Sequence, residues 1–508
     1  MTVNPELWTS DRPDPPPRRL RRLLSQALAS AATLAMLASC ASMDTLTKRT
    51  AESPAEPWVP PAPPDPAPAP LPPPDIPEDL QKPGQAWNLA DMVAVSLANN
   101  PQTRAAWNAA RAASAAVSIS YGAYLPRIDV TVPGTKQKMA FAGGRFIVDQ
   151  MTMTPSASLS FLLYDFGGRE ADVQSARRAL EASNWAQNAV FQNVILQVET
   201  AYYRYLAAKA VLQAQETNRN GAQTNYDAAN NRHQAGLATI ADVLQAKTAL
   251  STIDLNLVTT RGLIQTLHGA LANAMGLPAA TAFDVAVDLP EIVPLEAVAK
   301  QVDLCIKEAE ARRPDLAAAR AQVLQAEAGI RKARSTLYPA FSLNGNIGRI
   351  FYKGTSASNP FYSVSINMDL AFLFGLQQYG VLAATAQAEV ARDQAAELGR
   401  GIELQVWTDY YGLKTAEQKI INSRDLLESA QASYDVALGR YKGGVGSILD
   451  LLTAQDTLEN ARVQTILAKA DWFLTLVQFT HDTGALAPPA PANKSGLPSN
   501  PEKGDHRP

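Results

Sequence analysis

Between two proline-rich ends, the chain alternates between two hydrophobic periods. Past Pro126, Ile128, Val130 and Val132 alternate with Arg127, Asp129 and Thr131, and further on Ala157, Leu159, Phe161 and Leu163 alternate with Ser156, Ser158 and Ser160. Past Pro339 the same alternation returns. Phe341, Leu343 and Ile347 oppose Ser342, Asn344 and Asn346, and Tyr362, Val364, Ile366, Met368 and Leu370 oppose Ser363, Ser365, Asn367 and Asp369. A period of two gives a strand one apolar and one polar face, so four amphipathic strands are predicted, with Gly143-Gly144 and Gly354 in the loops. Each strand pair is preceded by a helical stretch of roughly 25 residues that opens at Asn100-Pro101 or Arg313-Pro314. Asparagine is a favoured N-cap, and a helix tolerates proline at its first position.

Two much longer helical stretches follow the strands, at about 168–231 and 376–441, neither with an internal proline. Roughly 64 residues at 1.5 Å each extend about 96 Å, far beyond an ordinary globular helix. Glycine breaks at Gly236 and at Gly443-Gly444 then turn the chain back into second helices, about 239–275 and 447–483.

The two sets are one unit used twice. The helix-opening and helix-closing prolines share an offset, 314 − 101 = 213 and 339 − 126 = 213. Further on the offset is 208: Tyr164-Asp165-Phe166-Gly167 matches Phe372-Leu373-Phe374-Gly375, and Tyr202-Tyr203 matches Tyr410-Tyr411. Asn225-Tyr226-Asp227 matches Ser433-Tyr434-Asp435, and Asp242-Val243-Leu244 matches Asp450-Leu451-Leu452. The five-residue change places a shorter loop between Pro339 and Phe374. Such self-similarity sets the architecture before any local reading does.

Four strands cannot close a barrel, and an open strand edge in lipid leaves backbone groups unsatisfied. Single-chain bacterial barrels begin at about eight strands, whereas a cyclic trimer would supply twelve. The alternative is a soluble sandwich that buries the apolar face internally. Long helices of this kind suit the wall of a coiled-coil tube better than free rods.

The N-terminus reads as an address. Arg18, Arg19, Arg21 and Arg22 precede an apolar run from Leu23 to Leu37, which ends in Leu37-Ala38-Ser39-Cys40. These are the parts of a secretory signal, and Leu-Ala-Ser-Cys resembles a bacterial lipobox with Cys40 as the acylated first residue of the mature chain. Ala41 in place of an aspartate permits sorting to the outer membrane. From about 52 to 83 proline and alanine dominate, a composition suited to an extended spacer rather than a packed core. The expected organisation is a signal peptide at 1–39, a lipidated linker at 40–86, repeats at 87–290 and 291–485, and a disordered tail at 486–508.

Composition narrows the function. A formal net charge of −3 and a pI near 5.9 make nucleic acid an unpromising partner. No run of roughly 18 apolar residues follows the signal, so no helix spans a bilayer in the mature chain. Two cysteines, Cys40 and Cys305, sit in unlike contexts without zinc spacing, and four scattered histidines are poor metal ligands. Neither a glycine-rich phosphate loop nor a Ser-His-Asp order supports an enzyme, and no cofactor is expected beyond the lipid on Cys40. A structural coiled-coil lipoprotein, such as an adhesin or envelope spacer, would leave the four strands unexplained.

The duplicated strand-helix plan, the helix-proline-strand junctions and the glycine turns resemble the TolC family of outer-membrane efflux channels, over about 87–483. The resemblance implies a mainly α fold with transmembrane β: three chains forming a 12-stranded β-barrel on a periplasmic α-helical coiled-coil tunnel. It implies a passive exit duct in the outer membrane, fed by a periplasmic adaptor and an inner-membrane transporter, for efflux or for type I protein secretion. The tip motifs are Arg232-His233-Gln234-Ala235-Gly236-Leu237-Ala238-Thr239 and Arg440-Tyr441-Lys442-Gly443-Gly444-Val445-Gly446-Ser447. By resemblance Gly236, Leu237, Ala238, Gly444, Val445 and Gly446 dock the adaptor. Asp450 lines the constriction, Asp242 holds the gate, and Tyr441 supplies a gate hydrogen bond. Gly446 stands where the family's gate arginine is expected, and Thr453 where a second acidic ring is expected. The structural alternative is a plain helix-turn-helix corner in which Asp242 and Asp450 favour helix N-termini.

Overall fold

The computed structural model describes residues 74–77, 80, 86–141, 146–285, 289, 290, 292, 301–354, 356–370 and 375–486. Cys40, the signal sequence, most of the proline-rich tract, the 142–145 loop, Phe372-Leu373-Phe374 and the tail beyond 486 lie outside the described residues.

The first repeat comprises α1 (Leu89–Asn99), α2 (Pro101–Tyr121), β1 (Arg127–Thr131), β2 (Gly134–Phe141), β3 (Phe146–Met153), β4 (Ser156–Tyr164), α3 (Gly168–Gln234) and α4 (Ile240–Ala274). The second comprises α5 (Val302–Arg312), α6 (Pro314–Ser335), β5 (Ala340–Tyr352), β6 (Ser358–Asp369), α7 (Leu376–Lys442) and α8 (Ile448–Asp482). Asn100 caps α2 through the Gln102 N–H, with Pro101 at the first helical position. The two long helices are 67 residues each, about 100 Å. No helix among the described residues is long and apolar enough to cross a membrane.

The strands form one antiparallel sheet in which β4 joins β1 to β5, and β6 lies beyond β5. Its register aligns like with like across all four positions. One row runs Ile128, Leu159, Gly345, Val364; the next residue along each strand gives Asp129, Ser158, Asn346, Ser363. The sheet therefore has an apolar face and a polar face, as the alternation predicts. Its apolar side is bare: Val130 is 74% exposed, Tyr362 84% and Val364 76%. At 13 residues and about 3.4 Å each, β5 reaches about 44 Å, enough to cross a hydrocarbon core of about 30 Å at the usual tilt.

Among the described residues six strands are found where four are predicted, because prolines divide the first hairpin. Pro133 separates β1 from β2 and Pro155 separates β3 from β4; neither residue has an N–H for the ladder. The gap is bridged by the Thr154 N–H donating to the Pro133 carbonyl at 2.9 Å, and β2–β3 continues the β1–β4 hairpin. Val132, expected in the strand, falls in this break.

Positive-φ glycines repeat with the duplication: Gly167 and Gly375 before the long helices, Gly236 and Gly444 at the turns, Gly276 and Gly484 after the return helices. At the last pair the chain docks on the start of the short helix of its own repeat. A Cβ on Gly276 would sit 2.8 Å from the Asn100 backbone, and one on Gly484 3.1 Å from that of Arg312 and Arg313. These joints lie beside the main core, where Trp87, Leu206, Leu271, Ile402, Leu413 and Trp472 are buried.

The two joints differ in chemistry. In the first, the Asn100 amide donates to the Ala274 carbonyl at 3.2 Å. In the second, buried Arg313 pairs with Asp315 at 2.6 Å and with Asp482 at 3.3 Å, and His481 Nδ1 lies 2.7 Å from Asp482. Asp409 of α7 faces the same cluster, with Oδ2 sealed from solvent and no donor among the described residues reaching it. Burial and the Asp482 carboxylate push Asp409 up to about 8. Burial also acts to raise Asp482, but bonds from His481, Asp409 and Gln478 outweigh it and hold this carboxyl at about 2. One proton on Asp409, given to Asp482, satisfies both oxygens.

A carboxyl raised on folding stabilises fully below its unfolded value, about 3.9, and loses that contribution as pH rises through about 8. Asp482 has the opposite sign, and its contribution vanishes only as pH falls through about 2. The second joint should therefore weaken as pH rises from about 4 to about 8 and level off above that. Melting curves of the detergent-extracted protein should show midpoints falling over that range, and Asp409→Asn, which keeps a donor without a titrating proton, should flatten the fall.

The candidate gate at the helical turns

The two turns at the ends of the long helices share one backbone plan. The Leu237 N–H donates to the Arg232 carbonyl at 2.8 Å, and the Val445 N–H to the Arg440 carbonyl at 3.1 Å, each across a left-handed glycine. Leu237 and Val445 project, 71% and 75% exposed. Beneath them Tyr441, Ile448, Leu451, Ala229 and Ala246 form a small core with Tyr226 and Tyr434 packed against it.

Asp242 and Asp450 occupy duplicate positions but are engaged differently. Thr239 and Asp242 form a reciprocal capping box: the Thr239 N–H donates to Asp242 Oδ2 at 2.9 Å, and the Asp242 N–H to Thr239 Oγ1 at 3.3 Å. At the second turn the Asp450 N–H donates to Ser447 Oγ at 3.1 Å, and the exposed Asp450 carboxylate makes no bond to a described residue. It lines a groove of about 690 Å³ on the α7–α8 hairpin together with Arg440, Gly446 and Thr453. Asp242 is thus held by its own helix start, whereas Asp450 is free to act outward.

Tyr441 is buried, and its hydroxyl meets no hydrogen-bond partner among the described residues. Burial raises its pKa, and nearby Asp242 adds to the rise against the opposing Arg232 charge. What ties the turns together is Arg232. Its Nη1 donates to the Tyr441 carbonyl at 2.7 Å while its guanidinium lies 4.8 Å from the centre of the Tyr441 ring. At Gly446 a Cβ would meet Arg440 Cβ at 3.0 Å and the Arg440 and Tyr441 backbone at 3.1 Å, a tight fit to which the neighbouring residues would have to yield.

Sequence reasoning quoted Arg232 within the turn motif and gave it no role; its spacing from Gly236 is that of any helix C-terminal cation. It also missed a polar seam between α3 and α8. There Asn225 Nδ2 donates to Gln455 Oε1 at 2.6 Å, and Arg462 bridges Asn218 and Gln431. The heptad run Gln215, Asn218, Ala222, Asn225, Ala229, all buried on α3, was the available signal. Among the described residues no group of three or more His, Cys, Asp or Glu could hold a metal ion.

This geometry matches known proteins throughout. The signature of the outer membrane efflux protein family covers residues 93–277 and 305–485, one segment in each repeat. Among curated relatives, the protein CyaE of Bordetella pertussis is 28% identical over 468 residues, covering 89% of this chain and 93% of its own. The pyoverdine export outer membrane protein OpmQ of Pseudomonas aeruginosa is 26% identical over 75% of this chain and 82% of its own. The fold is also that of the outer-membrane channel OprN, with TM-score 0.71 at 20% identity over 78% of this chain and 89% of that one. Outer-membrane channels of the helical-tunnel type are the class to which the fold points. The chain belongs to the outer membrane efflux protein family.

Arg232→Ala removes the cross-turn bond without touching either helix start. Purified protein in planar bilayers should then show a several-fold rise in mean conductance, and cells carrying the variant should admit large antibiotics that the parent excludes.

Proposed function

We propose that three copies of this chain close one barrel and one tunnel, forming a passive exit duct from the periplasm to the outside. The observation that carries this reading is the sheet. It has free edges at β1 and β6 and a bare apolar face in row-by-row register, so only closure with other copies satisfies it in lipid. Three sheets of four strand positions give 3 × 4 = 12, within the bacterial range. The helices agree: α4 leaves Leu244, Leu255 and Val258 exposed and α7 leaves Leu404, Ile421 and Val436 exposed, two unpartnered stripes that a neighbouring copy can pair.

The turns, with projecting Leu237 and Val445 among small residues, suit the docking of helical hairpins from a periplasmic adaptor. That adaptor links the duct to an inner-membrane transporter. In this reading cargo choice falls to the transporter.

Cys40 is the proposed lipid anchor. Where the proline-rich tract ends, Asp75 is strapped to the helical body: its N–H donates to Asn99 Oδ1 at 2.6 Å, and its carbonyl accepts from Asn99 Nδ2 at 2.8 Å. From Asn99 the 21-residue α2, about 32 Å long, leads to the strands.

Two measurements test the duct. The membrane-extracted protein should migrate as a heat-modifiable trimer and conduct in bilayers; a water-soluble, non-conducting monomer sinks the reading. Asp450→Ala should remove a ring of three carboxylates, weaken cation preference and raise conductance; an unchanged ion preference removes Asp450 from the role. For the anchor, Cys40→Ala should abolish incorporation of labelled palmitate.

A further inference from the structure

Duplication pairs Arg232 with Arg440 and His233 with Tyr441, since 440 − 232 = 208 and 441 − 233 = 208. Within one chain Arg232 crosses from the first turn to the second, donating to the Tyr441 carbonyl and covering the Tyr441 ring. Arg440 stands before an identical turn, yet its exposed side chain finds no partner among the described residues and lies in the groove beside Asp450.

Helix packing says where its partner lies. Inside the chain α3 packs on α8. The duplicates of α3 and α8 are α7 and α4, and these carry the bare apolar stripes. In a closed ring α7 of one copy meets α4 of the next as α3 meets α8 within a copy, which brings Arg440 to the neighbour's first turn.

We propose that Arg440 clasps His233 of the neighbouring copy, donating to its backbone carbonyl and stacking on its imidazole. The ring of turns is thereby held by two alternating clasps, Arg232–Tyr441 within each copy and Arg440–His233 between copies. The acceptor has the needed capacity. The Tyr441 carbonyl takes Arg232 while also accepting the Gly444 N–H at 3.1 Å and a shared Gly443 N–H, and the His233 carbonyl is engaged in the same way by Gly236 at 2.9 Å and by Ala235, so it can take an arginine as its duplicate does. The His233 ring is already positioned: Nδ1 lies 3.0 Å from the Ala238 carbonyl, which only accepts, so Nδ1 carries the hydrogen and braces the ring on its own turn. The clasp accounts for the absence of a side chain at Gly446, since the groove must leave the Arg440 stem free to swing outward.

The inference rests on the trimeric reading, and cross-linking separates the two. In the full-length protein, Arg440→Cys with His233→Cys, treated in membranes with a short bismaleimide, should give dimer and trimer bands on a denaturing gel. Arg232→Cys with Tyr441→Cys should react within one chain and give no ladder. A native trimer that shows no ladder with the first pair, while the second pair reacts, overturns the clasp alone; a native monomer overturns clasp and duct together. Arg440→Ala should raise the bilayer conductance about as much as Arg232→Ala, and a conductance equal to the parent's likewise overturns the proposal.

Discussion

A strand edge placed in hydrocarbon has nowhere to send its backbone hydrogen bonds, and this constraint organises the molecule. Each chain ends its sheet at β1 on one side and β6 on the other, with an apolar face that no other described element covers. Closure with further copies removes the edges and puts the apolar rows toward lipid and the serine and asparagine rows toward water. Because strands and helices belong to the same chain, closing the barrel also fixes the number of helices in the tunnel. The bare stripes on α4 and α7 are the same requirement expressed in α-helix.

The duplication supplies near-symmetry, and the side-chain chemistry differs where that symmetry fails. The turns have the same backbone, but Asp242 is spent on a capping box while Asp450 faces outward. At the glycine joints, a neutral amide serves the first repeat and a buried charge cluster the second. A buried ion cluster contributes little net stability compared with apolar packing, so its value lies in holding one register of α6, α7 and α8.

Much of this was legible in the sequence. Helix limits follow from prolines, caps and glycines: the long helices end at Gln234 and Lys442, close to where the glycine breaks place them. Strand alternation identified both faces of the sheet. The division of the first hairpin at Pro133 and Pro155 was also on the page, but a period-of-two reading passes over single missing N–H groups. The Arg232 contact was not legible, because it joins residues 209 apart through a backbone carbonyl, an acceptor every residue carries. The Asp409–Asp482 pair was hidden for a similar reason: two aspartates on different helices look solvated until the joint at Gly484 brings them together.

The helices differ in reach. The return helices α4 and α8 have 35 residues and stop at the glycine joints, where the short helices α2 and α6 take over. Among the described helices only α3 and α7, at 67 residues each, run unbroken from the sheet end to the turns. A twist applied at the turns is therefore transmitted toward the membrane by two shafts per chain, while the segmented helices beside them can yield at Gly276 and Gly484. The wall behaves as an anisotropic composite, stiff against stretching along its axis and compliant where its staggered segments meet.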